Sequence, residues 1–173
     1  MNPIIWLLGL SGSGKTTLSL SLKKKLDEQQ IKNIILDGDL LRGGLNNNLG
    51  FSLEDRIENV RRTAEVAKIF SGEGYLVIVA LITPLEMMRS QNRQILANCY
   101  HEIYIDTPLE VCKNRDPKGL YELVKQNKIH NFTGIDSPFE IPREPNLVIH
   151  TLDKAIEENR DEILQYINKI RID

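Results

Sequence analysis

Short, unbroken apolar runs alternate with longer stretches in which apolar residues recur every three or four positions. Ile4-Ile5-Trp6-Leu7-Leu8 is apolar throughout and halts at Gly9, the pattern of a strand buried on both faces. From Lys15 to Gln29 the residues Leu18, Leu22 and Leu26 fall on one helical stripe. Asn33 to Leu36 predicts a second strand, closed by the acidic turn Asp37-Gly38-Asp39. Leu53 to Ser71 predicts a long helix with Ile57, Val60, Ala64, Ala67 and Ile69 set among charges, ended by Gly72 and Gly74. Tyr75 to Ile82 is nearly all apolar, as at the centre of a parallel sheet. Pro84 opens a helix to about Ala97, Glu102 to Ile105 predicts a strand ending at Asp106, and Pro108 starts a short helix reaching Asn114. Leu147 to Ile149 is the last strand, and a final helix from about Leu152 turns Ile156, Ile163 and Ile167 inward.

This alternation predicts an α/β fold, a doubly wound parallel sheet with helices on both faces. One domain is expected to span residues 1–173. The stretch from about 115 to 145 breaks the pattern: it is polar, rich in Gly and Pro, and weakly periodic. It holds a short helix near Leu120 to Gln126 and a loop from Asn131 to Pro142, and a loop that long predicts a lid. Ligands of such sheets bind at the carboxyl ends of the strands, where Gly9, Asp37, Asp39, Thr83 and Asp106 fall.

Composition narrows the function. Lys and Arg number 22 against 24 Asp and Glu, a net charge of −2 that argues against a broad basic face for nucleic acid. The opening apolar run, Pro3 to Leu10, is too short to span a bilayer and lacks a basic flank, so neither a membrane span nor a signal peptide is expected. Cys99 and Cys112 have no metal spacing and read as reduced thiols of a cytoplasmic protein. His101, His130 and His150 show no ligand spacing either.

Gly9-Leu10-Ser11-Gly12-Ser13-Gly14-Lys15-Thr16 fits the phosphate-loop pattern and lies between a predicted strand and a predicted helix. Its glycines let backbone N–H groups turn inward around phosphate oxygens, beside the positive end of the helix. In this P-loop reading Lys15 bridges the β- and γ-phosphates of ATP and the Thr16 hydroxyl ligates Mg²⁺. Asp37 and Asp39 then face the γ-phosphate, where a carboxylate orients the metal or takes a proton from an attacking hydroxyl; the alternative is an acidic turn that caps the next helix. Arg42 and Arg56 flank the glycine-rich turn beyond them, with Asn59 on the face of Arg56, and arginine forks suit phosphate or sulfate oxygens. Arg61 and Arg62 read instead as a solvated helix face. Phe51 and Phe132 lie in predicted loops, where aromatic rings either sandwich a flat base or anchor the loop. Arg115 and Lys118 open the lid segment as candidate phosphate or base contacts.

These blocks resemble the adenylyl-sulfate (APS) kinase family. The resemblance is carried by Gly9 to Thr17, Asp37-Gly38-Asp39 with Arg42, Leu49-Gly50-Phe51-Ser52, and Asp55-Arg56 with Asn59. It continues through Arg115-Asp116-Pro117-Lys118-Gly119 and Asn131-Phe132-Thr133-Gly134-Ile135-Asp136-Ser137-Pro138. The resemblance implies transfer of the ATP γ-phosphate, with Mg²⁺, to the 3′-hydroxyl of a nucleotide bearing an acid anhydride, by a homodimer. It implies Asp39 as base, supported by Asp37, and Arg42, Arg56 and Asn59 on the acceptor's anhydride end. Phe51 and Phe132 would sandwich its base, Ile82, Thr83 and Lys118 would complete its pocket, and Arg115 would cover the ATP base.

Departures from the family pattern gather on the acceptor side: Leu40, Gly43, Asn46-Asn47-Asn48, Leu81, Thr83, and Leu85-Glu86. A pocket that loses an amide, an aromatic ring and a cation pairs with a different acceptor. They resemble the branch that phosphorylates cytidine diphosphoramidate for the O-methyl phosphoramidate of bacterial capsules, which is the acceptor expected here. The alternative is adenylyl sulfate itself. A non-catalytic nucleotide-binding regulatory module is disfavoured by the joint presence of Lys15, Thr16 and Asp39.

Overall fold

The computed structural model describes residues 1–172. Its strands are β1 (Ile4–Leu8), β2 (Asn33–Asp37), β3 (Leu76–Ala80), β4 (Tyr100–Asp106) and β5 (Leu147–His150). They form one parallel sheet in the order β2-β3-β1-β4-β5. All of β1 is buried because it runs between β3 and β4, with Trp6 opposite Val79 on one side and Glu102 on the other. The helices are α1 (Lys15–Glu28), α2 (Gly38–Gly43), α3 (Leu53–Gly72), α4 (Glu86–Leu96), α5 (Leu109–Arg115), α6 (Leu120–Lys125) and α7 (Ile156–Ile172). Among the described residues no helix is long and apolar enough to cross a membrane.

Alternate side chains of β1 feed two separate cores. Ile4, Trp6 and Leu8 pack with Val60, Ala64 and Ala67 of α3 and Met88 and Leu96 of α4. Ile5 and Leu7 pack with Leu18, Leu22 and Leu26 of α1 and Ile163, Leu164 and Ile167 of α7. Each buried leucine of the α1 stripe contributes about 1.5–3 kcal/mol. The Ser52 side chain caps α3 by accepting from Asp55 N. A third cluster, Cys112, Tyr121 and Phe132 with Leu10 and Leu109 beside it, fastens the segment expected to be a lid to the loop that follows β1.

Several element bounds differ from the sequence expectation. The glycine-rich turn after Asp37 is the short helix α2, because the Asp37 carboxylate accepts from Asp39 N (2.9 Å) and caps it. The ladder of β3 stops at Ala80 rather than Ile82, and Thr83 bends the chain at φ 46°. The strand β4 begins earlier, at Tyr100. The last helix starts at Ile156 rather than Leu152, just beyond Ala155, whose N–H is taken by the Glu158 carboxylate (2.7 Å). The segment expected to be a lid comprises α6, whose first turn donates to the Asp116 carboxylate from Tyr121 N and Glu122 N, and an irregular loop closed on the Asp136 carboxylate.

Candidate active site

The phosphate loop joins β1 to α1 and its glycines are forced. Gly9 lies at φ 149° and a Cβ there would meet Ile105 O at 2.7 Å; Gly12 lies at φ 76° and a Cβ would meet Cys112 O at 2.9 Å. Side chains are excluded at both positions, which keeps the loop narrow and its backbone open, as in loops that wrap a phosphate, although Gly9 N and Ser13 N are already taken by Ile82 O and Leu10 O. Lys15 folds into the loop, its ammonium donating to Gly9 O (2.9 Å) and Leu10 O (2.7 Å). Burial pushes its pKa down to about 8. Thr16 and Thr17 are exposed on the first turn of α1, and Leu10, Ser11 and Gly14 are half-buried around the loop.

Ser13 is fully buried, and the residues that fix it were not legible as a motif. The Thr107 hydroxyl donates to Ser13 O (3.0 Å) and shares a bond with the Thr151 hydroxyl (2.5 Å). Tyr121 O–H donates to Ser11 O (2.9 Å), tying the lid to the same loop. Each of these bonds joins segments distant in the sequence.

The acidic strand end meets the loop through one carboxylate. Asp37 is buried; its Oδ2 accepts from the Thr16 hydroxyl (2.8 Å) while its Oδ1 accepts from Asp39 N (2.9 Å). Asp39 is exposed and forms an ion pair with Lys118, so the segment after α5 reaches the end of β2. Arg115 is exposed at the end of α5. The Arg42 guanidinium donates to Gly50 O (3.0 Å) and lies 4.3 Å from the Phe51 ring centroid. Arg56 donates to Phe51 O (3.0 Å), Thr133 Oγ1 (2.9 Å) and Asn131 O (2.6 Å). It therefore bridges α3 to the loop that carries Phe132.

Other expected residues take different places. Thr83 is buried, and its hydroxyl accepts from the Trp6 indole N–H (2.8 Å), so that oxygen serves the fold rather than an acceptor. Asn59 does not share an open face with Arg56: it is buried, and its carbonyl oxygen accepts from the Asn46 amide (2.9 Å). Phe51 is 60% exposed but Phe132 only 9%, its ring edge-on to Tyr121 at 5.0 Å, which makes Phe132 an anchor of the lid. Ile82 is half-buried, its carbonyl accepting from Gly9 N (3.4 Å).

The acceptor-side departures take different places. Leu81 is buried in the core on the α3 side, and the side chain of Glu86 is turned onto Arg89 (3.0 Å) and Arg93 of its own helix. Leu40 is 76% exposed and lies outside that core.

The family described as Adenylylsulphate kinase matches residues 1–150. The chain is 46% identical over 169 residues to the adenylyl-sulfate kinase of Clostridium acetobutylicum, which covers 98% of this chain and 84% of that one. It is 48% identical over 165 residues to the enzyme of the same name from Pseudomonas aeruginosa, covering 95% and 84% respectively. The Mycobacterium tuberculosis APS kinase CysC, in complex with AMPPNP and APS, superposes with a TM-score of 0.94 at 42% identity, covering 96% of this chain and 98% of that one. With a phosphate-loop motif and an acidic strand end on a P-loop kinase fold, the chain belongs to the adenylyl-sulfate kinase family and is an ATP-dependent phosphotransferase acting on a hydroxyl group.

Proposed function

We propose that the chain transfers the γ-phosphate of ATP to the ribose 3′-hydroxyl of adenylyl sulfate. The observation that carries this reading is the bridge at Asp37, whose two oxygens hold Thr16 of the phosphate loop and the backbone of Asp39 at the acceptor edge. Donor and acceptor machinery are thereby locked in one frame, and positioning supplies much of what phosphoryl transfer needs. The backbone of Gly9 to Gly14 and the Lys15 ammonium bind the phosphates, and Lys15 exchanges its two carbonyl partners for phosphate oxygens. Asp39 takes the proton of the 3′-hydroxyl as that oxygen bonds to phosphorus and the bridging bond to ADP breaks. Lys118 releases Asp39 for this and moves to the acceptor. Arg42 and Arg56 beside Phe51 hold the acceptor's anhydride end and base.

The hard oxygens of Thr16 and Asp37, 2.8 Å apart, fit Mg²⁺, which binds one or two protein oxygens together with phosphates and water. Mg²⁺ carried with ATP supplies charge neutralisation at the phosphate oxygens. A homodimer in the cytoplasm completes the reading, and sedimentation tests the dimer.

Adenylyl sulfate replaces cytidine diphosphoramidate as the preferred acceptor. Relatives at 46% and 48% identity bear the adenylyl-sulfate kinase name, Leu81 is buried in the core, and the half-exposed Glu86 carboxylate is paired with Arg89 and Arg93 of its own helix. The test measures ADP release from Mg·ATP with the two acceptors side by side. A higher kcat/KM with adenylyl sulfate is expected. A higher value with the cytidine compound refutes the proposal and returns specificity to the departures, and ADP release with neither makes the chain a binding module.

A further inference from the structure

The loop 131–142 is fastened at both ends. At its start, Arg56 of α3 donates to Asn131 O (2.6 Å) and Thr133 Oγ1 (2.9 Å). At its far end, Glu140 N donates to Pro84 O (2.8 Å), and Glu86 N donates to the Glu140 carboxylate (2.6 Å). The second bond fills a gap. Helix α4 starts at Glu86 with Leu85 in the capping position, and leucine offers no side-chain oxygen to the free N–H groups of the first turn. Glu140 supplies that oxygen from 54 residues away, and its negative charge meets the positive end of the helix. Next to it Phe139 stacks on Tyr104 with ring centroids 6.0 Å apart. Pro84 belongs to the turn that carries Ile82, and Arg89 of α4 donates to Thr83 O in that same turn (3.3 Å).

We propose that Glu140 is a positioning residue for the acceptor. Its carboxylate caps α4 and its amide holds Pro84, which fixes the loop bearing Phe132 against the turn bearing Ile82. This rests on the proposed acceptor site at Arg42, Arg56 and Phe51, because Arg56 holds the start of the same loop. Glu140 is exposed, so its replacement leaves both cores intact.

The test compares Glu140→Ala and Glu140→Gln with wild type in acceptor kinetics, and follows amide exchange over 131–142 and at Glu86 in the acceptor-free protein. A helix cap shifts an equilibrium by about 2- to 30-fold, so Glu140→Ala should raise the acceptor KM by about that factor. The kcat at saturating acceptor and the KM for ATP should stay within about two-fold, as expected when only ground-state binding is lost. Glu140→Gln keeps an oxygen for Glu86 N and should recover most of the loss. Exchange should be faster in Glu140→Ala alone. Unchanged exchange, or faster exchange with the acceptor KM unmoved, overturns the assignment, and so does an equal fall in kcat for both variants. A wild type active on either acceptor tests Glu140 with that acceptor. A wild type inactive on both overturns the proposed function and this assignment together.

Discussion

Thr83→Val separates a fold role from an acceptor role at the end of β3. Valine keeps the branched shape at this turn but removes the oxygen that accepts from the Trp6 indole at 2.8 Å. Trp6 is fully buried and packs edge-on against Tyr100 at 5.8 Å, so no solvent replaces the lost partner. A buried donor left unpaired costs about 1–3 kcal/mol. In a domain of this size each kcal/mol lowers Tm by about 2–4 °C, so the midpoint should fall by about 2–12 °C. Trp6 is the chain's one tryptophan, so its emission follows both unfolding and the change at the indole. Thr83→Ser, which retains the hydroxyl, should stay near wild type. An unchanged midpoint together with a raised acceptor KM would refute the reasoning, because the hydroxyl would then be facing the acceptor and not the indole.

Lys15→Ala should reduce ADP release to background; near wild-type turnover would remove Lys15 from the phosphate site. Asp39→Asn should lower kcat by at least ~10²-fold with ATP binding intact, and titration with a fluorescent ATP analogue checks the second half. Gly12→Ala places a Cβ 2.9 Å from Cys112 O at φ 76°, so the loop must distort, and nucleotide binding should be lost while both cores still unfold cooperatively. Hydrogen bonds from Arg61 and Arg62 hold the Glu58 pKa down at about 2, below its ordinary value of 4.5. That stability is present above about pH 4.5 and drains away as pH falls toward 2. Glu58→Gln should therefore cost under about 1 kcal/mol at neutral pH, the pair being partly exposed, and the gap in urea midpoint should close on acidification.

The strands and long helices were legible because burial writes itself into local pattern. Ile4–Leu8 is apolar at every position because β1 has neighbours on both edges and helices on both faces. The stripe Leu18, Leu22, Leu26 is a local signal of the same kind. Helix α2 was hidden by the glycines at its two ends, although Asp37 in the capping position and Asp39 in the first turn mark it. In the site, the phosphate loop and the acidic strand end could be read because their chemistry is written in consecutive residues. Thr107, Thr151 and Glu140 could not, because each acts through a partner far along the chain. Thr83 and Phe132 were visible as residues but not as contacts: Trp6 and Tyr121, which claim them, are ordinary apolar positions in the sequence.

The strand order also governs the birth of the molecule. β1 lies near the amino terminus, yet both of its neighbours come later, β3 at Leu76–Ala80 and β4 at Tyr100–Asp106; β2 likewise pairs only with β3. No native strand pair exists until residue 76 and those after it have left the ribosome. At about 5–20 residues per second, β1 waits about 4–14 s for its first partner. Throughout that interval an all-apolar segment has no strand beside it, which exposes the nascent chain to aggregation until β3 arrives.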